Sequence, residues 1–144
     1  MNQPSLRSGD TLVALCPCRL ASQERKPKVF ALCCERFLSD FEGSPAPDTE
    51  SLMRSRYTAF VLADSDYLLA TWHPTRRPPG MAFDVGTRWL GLEVRSRKST
   101  DESHAVVEFV ARCRDRGGKA VRLHERSRFV RENGRWFYLD GDML

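Results

Sequence analysis

The chain reads as an α+β protein, a helix-covered antiparallel sheet behind a small cysteine module, on three observations. Hydrophobic periodicity changes from 3.6 to 2 partway along the sequence. The helical and strand-like stretches come in two blocks and do not alternate, which favours an antiparallel sheet over a parallel α/β arrangement. Four of the five cysteines crowd into positions 16 to 34. With 144 residues, 41% hydrophobic and 29% charged, the chain can bury one ordinary core. That excludes a disordered chain and a disulfide-stapled mini-protein. No apolar run approaches the roughly 20 residues that span a bilayer. Thr11-Leu12-Val13-Ala14-Leu15 is too short for a spanning helix or a signal segment. With an odd cysteine count and no secretory segment, the reading is a reduced, cytoplasmic protein. The net charge of +4 comes from 19 Arg against 4 Lys, a mild excess that does not by itself imply nucleic acid.

Residues 1–10 read as a polar tail, and residues 1–42 together as tail and cysteine module. Gly43-Ser44-Pro45-Ala46-Pro47 is a linker. Residues 48–144 form the α+β domain. Asp48 is placed to cap a helix, with Glu50 favourable in the first turn. Met53, Tyr57, Phe60 and Val61 then form one apolar helical face. Asp64-Ser65-Asp66 breaks and recaps. A second helix runs over Tyr67–Trp72 and stops at His73, because Pro74 disfavours a helical predecessor. From Arg88, Leu90, Leu92 and Val94 alternate with polar neighbours. Ala105, Val107, Phe109, Ala111 and Cys113 repeat the pattern. Gly117-Gly118 and Glu132-Asn133-Gly134 mark hairpin turns around a strand from Ala120 to Arg131, and Arg135–Asp140 is the last strand.

The cysteines form C-x-C at Cys16 and Cys18, then C-C at Cys33 and Cys34. Zinc takes four thiolates in a tetrahedron, and a tight turn stiffened by Pro17 lets two come from one C-x-C pair. Adjacent cysteines ligate together only where the backbone bends, as at a helix start, which Cys33-Cys34-Glu35-Arg36-Phe37-Leu38 could supply. Such a zinc would be structural, since all four positions are filled by protein. Two other readings stay open: reduced, buried small hydrophobes, and a redox role for the vicinal pair.

In the third strand, Glu125 and Ser127 share the parity of Val121, Leu123 and Phe129, so they turn toward the helices. A carboxylate there needs a partner. Arg54, Arg56 and His73 are the candidates, and Tyr57, Trp72, Trp136 and Tyr138 would shape a cavity around it. The alternatives are a structural ion pair and a pocket acid or base, with Glu125, His73 and Tyr57 as candidate catalytic residues. The opposite sheet face carries Arg112, Arg114, Arg122, His124, Arg126, Arg128 and Arg135 with Glu108. This reads as a solvated face or a homodimer interface. It has too few aromatics for an RNA-binding sheet, so nucleic acid stays only a minor alternative.

Several motifs occur in a fixed order: Met53-Arg54-Ser55-Arg56-Tyr57-Thr58-Ala59-Phe60, Asp66-Tyr67-Leu68, Thr71-Trp72-His73-Pro74, Trp89-Leu90-Gly91-Leu92, Glu125-Arg126-Ser127-Arg128-Phe129 and Trp136-Phe137-Tyr138-Leu139-Asp140-Gly141. Through them the chain resembles the YchJ-like family of small bacterial proteins over residues 16–141. The resemblance implies a cone-shaped fold like nuclear transport factor 2 (cystatin-like) over residues 48–144, behind an N-terminal SEC-C zinc motif. It implies Cys16, Cys18, Cys33 and Cys34 as zinc ligands, and a protein partner for that motif. Where the motif has a Gly-Ser-Gly turn, this chain has Arg19-Leu20-Ala21, and its loop to Cys33 is several residues longer, at little cost in closure entropy. No particular reaction follows, because this fold hosts isomerases, dehydratases and plain binding domains. The sequence-level functions are therefore a zinc-dependent adaptor or ligand-binding protein, a pocket enzyme doing proton transfer, and RNA or ribosome association.

Overall fold

The computed structural model describes residues 14–19 and 27–144. The tail 1–10, the start of the apolar run at 11–13 and residues 20–26 of the loop between Cys18 and Cys33 lie outside the described residues. Among the described residues three α-helices come first: α1 (Glu35–Leu38), α2 (Thr49–Leu62) and α3 (Ser65–Ala70). Four strands follow: β1 (Arg88–Asp101), β2 (His104–Arg114), β3 (Ala120–Glu132) and β4 (Arg135–Met143). They form one antiparallel meander in the order β1-β2-β3-β4. No helix among the described residues is long and apolar enough to cross a membrane.

Local chemistry explains these boundaries. The Asp48 carboxylate accepts from Ser51 N at 2.7 Å and starts α2. Ala63 ends it in the left-handed region at φ 57°, and Asp64 recaps α3 by accepting from Tyr67 N at 3.0 Å. α3 stops at Ala70, earlier than the expected end at Trp72. The next three residues leave the helix to bridge the edge of β4, with His73 N donating to Tyr138 O and Tyr138 N to Thr71 O, both at 2.8 Å. The β3–β4 turn uses Asn133 and Gly134 at φ 53° and 75°, the left-handed pair that a two-residue hairpin requires.

The sheet face toward the helices carries Ala105, Val107, Ala111 and Phe129, all buried. Glu125 and Ser127 share that face, as the alternation in β3 implies. In β1 the simple alternation fails. A register shift between Trp89 and Gly91 gives the inward place to Trp89, opposite Cys113, and leaves Leu90 37% exposed. Leu92 and Val94 keep their places opposite Ala111 and Phe109. On the outer face two of the arginines and the histidine are matched by acids. Arg112 meets Glu93, Arg128 meets Asp140 and Asp142, and His124 Nε2 lies 2.6 Å from Glu108. Arg135 was expected on that face but reaches the cysteine segment. It donates to Phe41 O and Glu42 O, and its guanidinium lies 4.2 Å from the Phe41 ring centroid.

Candidate functional site

The cysteine cluster is assembled by two short turns and a bridge. Leu15 and Val29 pair antiparallel, with Cys16 N donating to Lys28 O at 2.7 Å and Phe30 N to Ala14 O at 2.9 Å. A 3-10 turn at Pro17–Arg19 carries Cys18, and another at Phe30–Leu32 delivers Cys33. Cys34 stands at the N-cap of α1, the bend that adjacent ligands need. All four cysteines are buried, and their sulfurs lie within 4.8 Å of one another. Cys18 Sγ is 3.6 Å from both Cys16 Sγ and Cys33 Sγ. A tetrahedron with metal–sulfur bonds of about 2.3 Å has sulfur–sulfur edges of about 3.8 Å. Both donor type and spacing therefore fit a thiolate-held divalent cation. Hydrogen bonding from Cys18 lowers the Cys16 thiol, and bonding from Cys16 lowers Cys33, while Cys18 and Cys34 are raised by their sulfur neighbours.

This cluster is continuous with the main core, in one packed group with Phe37, Leu52, Met53 and Tyr57. Cys16 Sγ lies 3.8 Å from Thr58 Oγ1, and Arg54 Nη1 donates to Cys18 O at 2.9 Å. Arg54 also pairs with Glu50 at 2.8 Å. Arg54 was expected beside the pocket but serves the cysteine segment instead. Two residues along a helix turn a side chain by about 200°, so Arg54 and Arg56 point to opposite sides.

Behind α2 lies a cavity of about 210 Å³. Its walls are the rings of Tyr57, Phe60, Trp72, Trp89, Phe109 and Tyr138, closed by Met53, Ala111, Leu123 and Met143. Its polar groups include Arg56, Glu125 and Ser127. Glu125 accepts from Ser127 Oγ at 2.7 Å and from Tyr138 OH at 3.2 Å. Gly141 makes room for it, since a Cβ there would sit 2.6 Å from Glu125 Oε2. Arg56 is 4% exposed and, among the described residues, donates only from Nη1, to Thr71 Oγ1 at 2.7 Å and Leu68 O at 2.8 Å. Its guanidinium carbon lies 4.5 Å from the Tyr138 ring centroid and 5.2 Å from that of Trp72. Burial pushes its pKa down to about 10. Burial likewise pushes the Tyr57 and Tyr138 phenols up, so both stay protonated.

The structure thus brings together Arg56, Tyr57, Trp72, Glu125, Ser127 and Tyr138, and leaves Arg54, His73 and Trp136 outside. His73 is held on the β4 edge by its backbone. Its ring packs on Phe137, its Nδ1 accepts from Thr75 N at 3.2 Å, and its Nε2 lies 2.9 Å from Glu132 Oε2 without hydrogen-bond geometry. It therefore cannot assist Glu125. Trp136 pairs with Arg131 near the hairpin tip, whereas Glu125 pairs with Met143 at the far end of the same ladder. Phe60, Phe109 and Leu123 lie on the apolar faces visible in the sequence, and Trp89 is the wall residue that the β1 bulge conceals.

Comparison with known proteins matches residues 48–141 to the family model described as "YchJ, middle NTF2-like domain". A protein from Polaromonas sp. called "UPF0225 protein" is 62% identical over 127 residues, covering 88% of this chain and 91% of that one. A UPF0225 protein from Bordetella parapertussis is 51% identical over 133 residues, covering 90% and 93%. Among solved structures, a SEC-C motif containing protein from Psychrobacter arcticus superposes with a TM-score of 0.72 at 29% identity, covering 87% of this chain and 80% of the other. Another from Rhodopseudomonas palustris gives 0.71 at 35% identity, covering 85% and 96%.

Proposed function

The chain belongs to the UPF0225 family, a SEC-C segment on a YchJ-type nuclear transport factor 2-like domain, and from that premise we propose that it is a zinc-stapled binding protein whose cavity holds a small ligand. Cys16, Cys18, Cys33 and Cys34 would hold zinc as a structural crosslink, tying a segment with little core of its own to α2. Leu15 and Leu32, exposed beside the cysteines, offer apolar contacts to a protein partner. The observation that supports the cavity reading most is Arg56. Its guanidinium is buried with no carboxylate within ion-pair distance among the described residues, and a charge so placed concentrates where a site uses it. NMR of the zinc-loaded, full-length protein with a small fragment panel tests this. Shifts should converge on Tyr57, Trp72, Trp89, Phe109 and Tyr138. Shifts scattered over the surface would contradict it.

Glu125 supports a second reading, a pocket enzyme. Its carboxylate faces the cavity, steadied by Ser127 and Tyr138, where a general base or acid would stand. In that reading Arg56 stabilises negative charge on the reacting compound and Tyr57 bounds the site. Exchange of acidic C–H protons with deuterium in a bound fragment, lost in Glu125→Gln, would favour it over simple binding.

A further inference from the structure

The cation that lines the cavity keeps donors without a hydrogen bond among the described residues. Arg56 spends Nη1 on Leu68 O and Thr71 Oγ1, while Nε and Nη2 make no hydrogen bond among the described residues. The Trp72 and Tyr138 rings stack on the guanidinium, with centroids 5.2 and 4.5 Å from its carbon, and Arg56 lines the cavity. What is missing beside it is an acceptor, and the Nε and Nη2 fork of a guanidinium matches the two oxygens of a carboxylate.

The rest of the cavity narrows the ligand further. The Tyr138 ring presents its face to Arg56 and its hydroxyl to Glu125 at 3.2 Å. The positive and negative groups are thus set at the face and the phenol end of one ring. A ligand filling the space brings an acceptor to Arg56 and a donor to Glu125. Its body meets aromatic rings, which favour a flat partner at edge or face. A volume of 210 Å³ is below the range of drug-sized sites and holds about a dozen non-hydrogen atoms.

Resting on the reading of the cavity as a ligand site, we infer that it selects a small aromatic carboxylate with a hydroxyl or amino group at its far end. The carboxylate sits on the Arg56 guanidinium, and the far group donates to Glu125.

The test titrates the zinc-loaded, full-length protein with three probes, read by NMR shifts and tryptophan fluorescence. 4-Hydroxybenzoate carries both groups, 4-hydroxybenzamide lacks the charge, and benzoate lacks the far donor. Loss of a charge-assisted hydrogen-bond pair predicts that the amide binds at least about tenfold more weakly than the acid, with benzoate between them. Arg56→Met should erase the preference for acid over amide. The comparison on the unmodified protein does not depend on that variant folding. Equal affinity for acid and amide, with shifts still at the cavity, would overturn the inference and leave the cavity a ligand site. Benzoate binding as tightly as 4-hydroxybenzoate would overturn the role given to Glu125. No shift with any probe at millimolar concentration would overturn both the inference and the reading beneath it.

Discussion

Replacing Arg56 with Met probes how much the molecule spends on its buried cation. Burial brings the guanidinium from 12.5 to about 10. The folded value lies below the unfolded one, so the cost is fully present at neutral pH, where both states are charged, and fades only as pH rises past about 10. At about 1.4 kcal/mol per tenfold change, that displacement is about 3 kcal/mol of destabilisation. Against it stand two hydrogen bonds from a charged donor, to Leu68 O and Thr71 Oγ1, at about 1.5–3 kcal/mol each. Methionine fills much of the same volume, and the Thr71 hydroxyl, which donates to Tyr67 O at 2.8 Å, also lies 3.3 Å from Leu68 O. The net loss on Arg56→Met should therefore fall between about zero and 3 kcal/mol. Urea denaturation followed by tryptophan fluorescence measures it. A loss above about 4 kcal/mol, in the range of a broken buried ion pair, would show that Arg56 is a structural member of a charge network and refute the reasoning.

Three other substitutions follow from single contacts. Gly141→Ala puts a methyl group 2.6 Å from Glu125 Oε2 and 3.0 Å from Arg126 O, so Glu125 must swing away from Ser127 and Tyr138. With Ser127 fully buried, the cost should be about 1–3 kcal/mol, with NMR shifts at Ser127 and Tyr138, and an unchanged Glu125 environment would contradict this. The Glu108 carboxyl is held below its ordinary 4.5 by hydrogen bonding to His124. Its stabilisation is present above that value and is lost as pH falls through the lowered one, so below pH 4.5 the difference in Tm between the natural protein and His124→Gln should shrink as the pH falls further. A gap that widens below pH 4.5 would contradict that assignment. Cys34→Ser should broaden NMR signals in α2, around Thr58 and Arg54, as well as in the cysteine segment, because the two share one core. Broadening confined to residues before 43 would mean that the segment is independent.

The sequence makes the scaffold legible because its signals are local. Asp48 and Asp64 cap helices with their own side chains, Asn133-Gly134 fits only one kind of turn, and the parity of β3 places Glu125 beside Ser127. The cysteine set is legible for the same reason, since its four sulfurs meet through short turns. What stays hidden depends on register and on tertiary partners. The bulge at Trp89–Gly91 exchanges Leu90 for Trp89 and supplies a cavity wall that alternation assigns to the other face. His73 has the chemistry of a catalytic partner, but its backbone is taken up as a bridge to β4. Arg135 keeps the outward reading of its strand only until the carbonyls of Phe41 and Glu42 are in place to receive it. In each case the missing information is a contact between residues distant in the chain.

The ion at the four sulfurs is the central claim, and the mass of the intact protein under native and denaturing conditions tests it most directly. The account predicts one zinc per chain in the native state, matched by the loss of the thiol protons of Cys16, Cys18, Cys33 and Cys34, and released on unfolding. A native mass equal to the denatured one in fully reduced protein, with the four thiols open to alkylation, would contradict it.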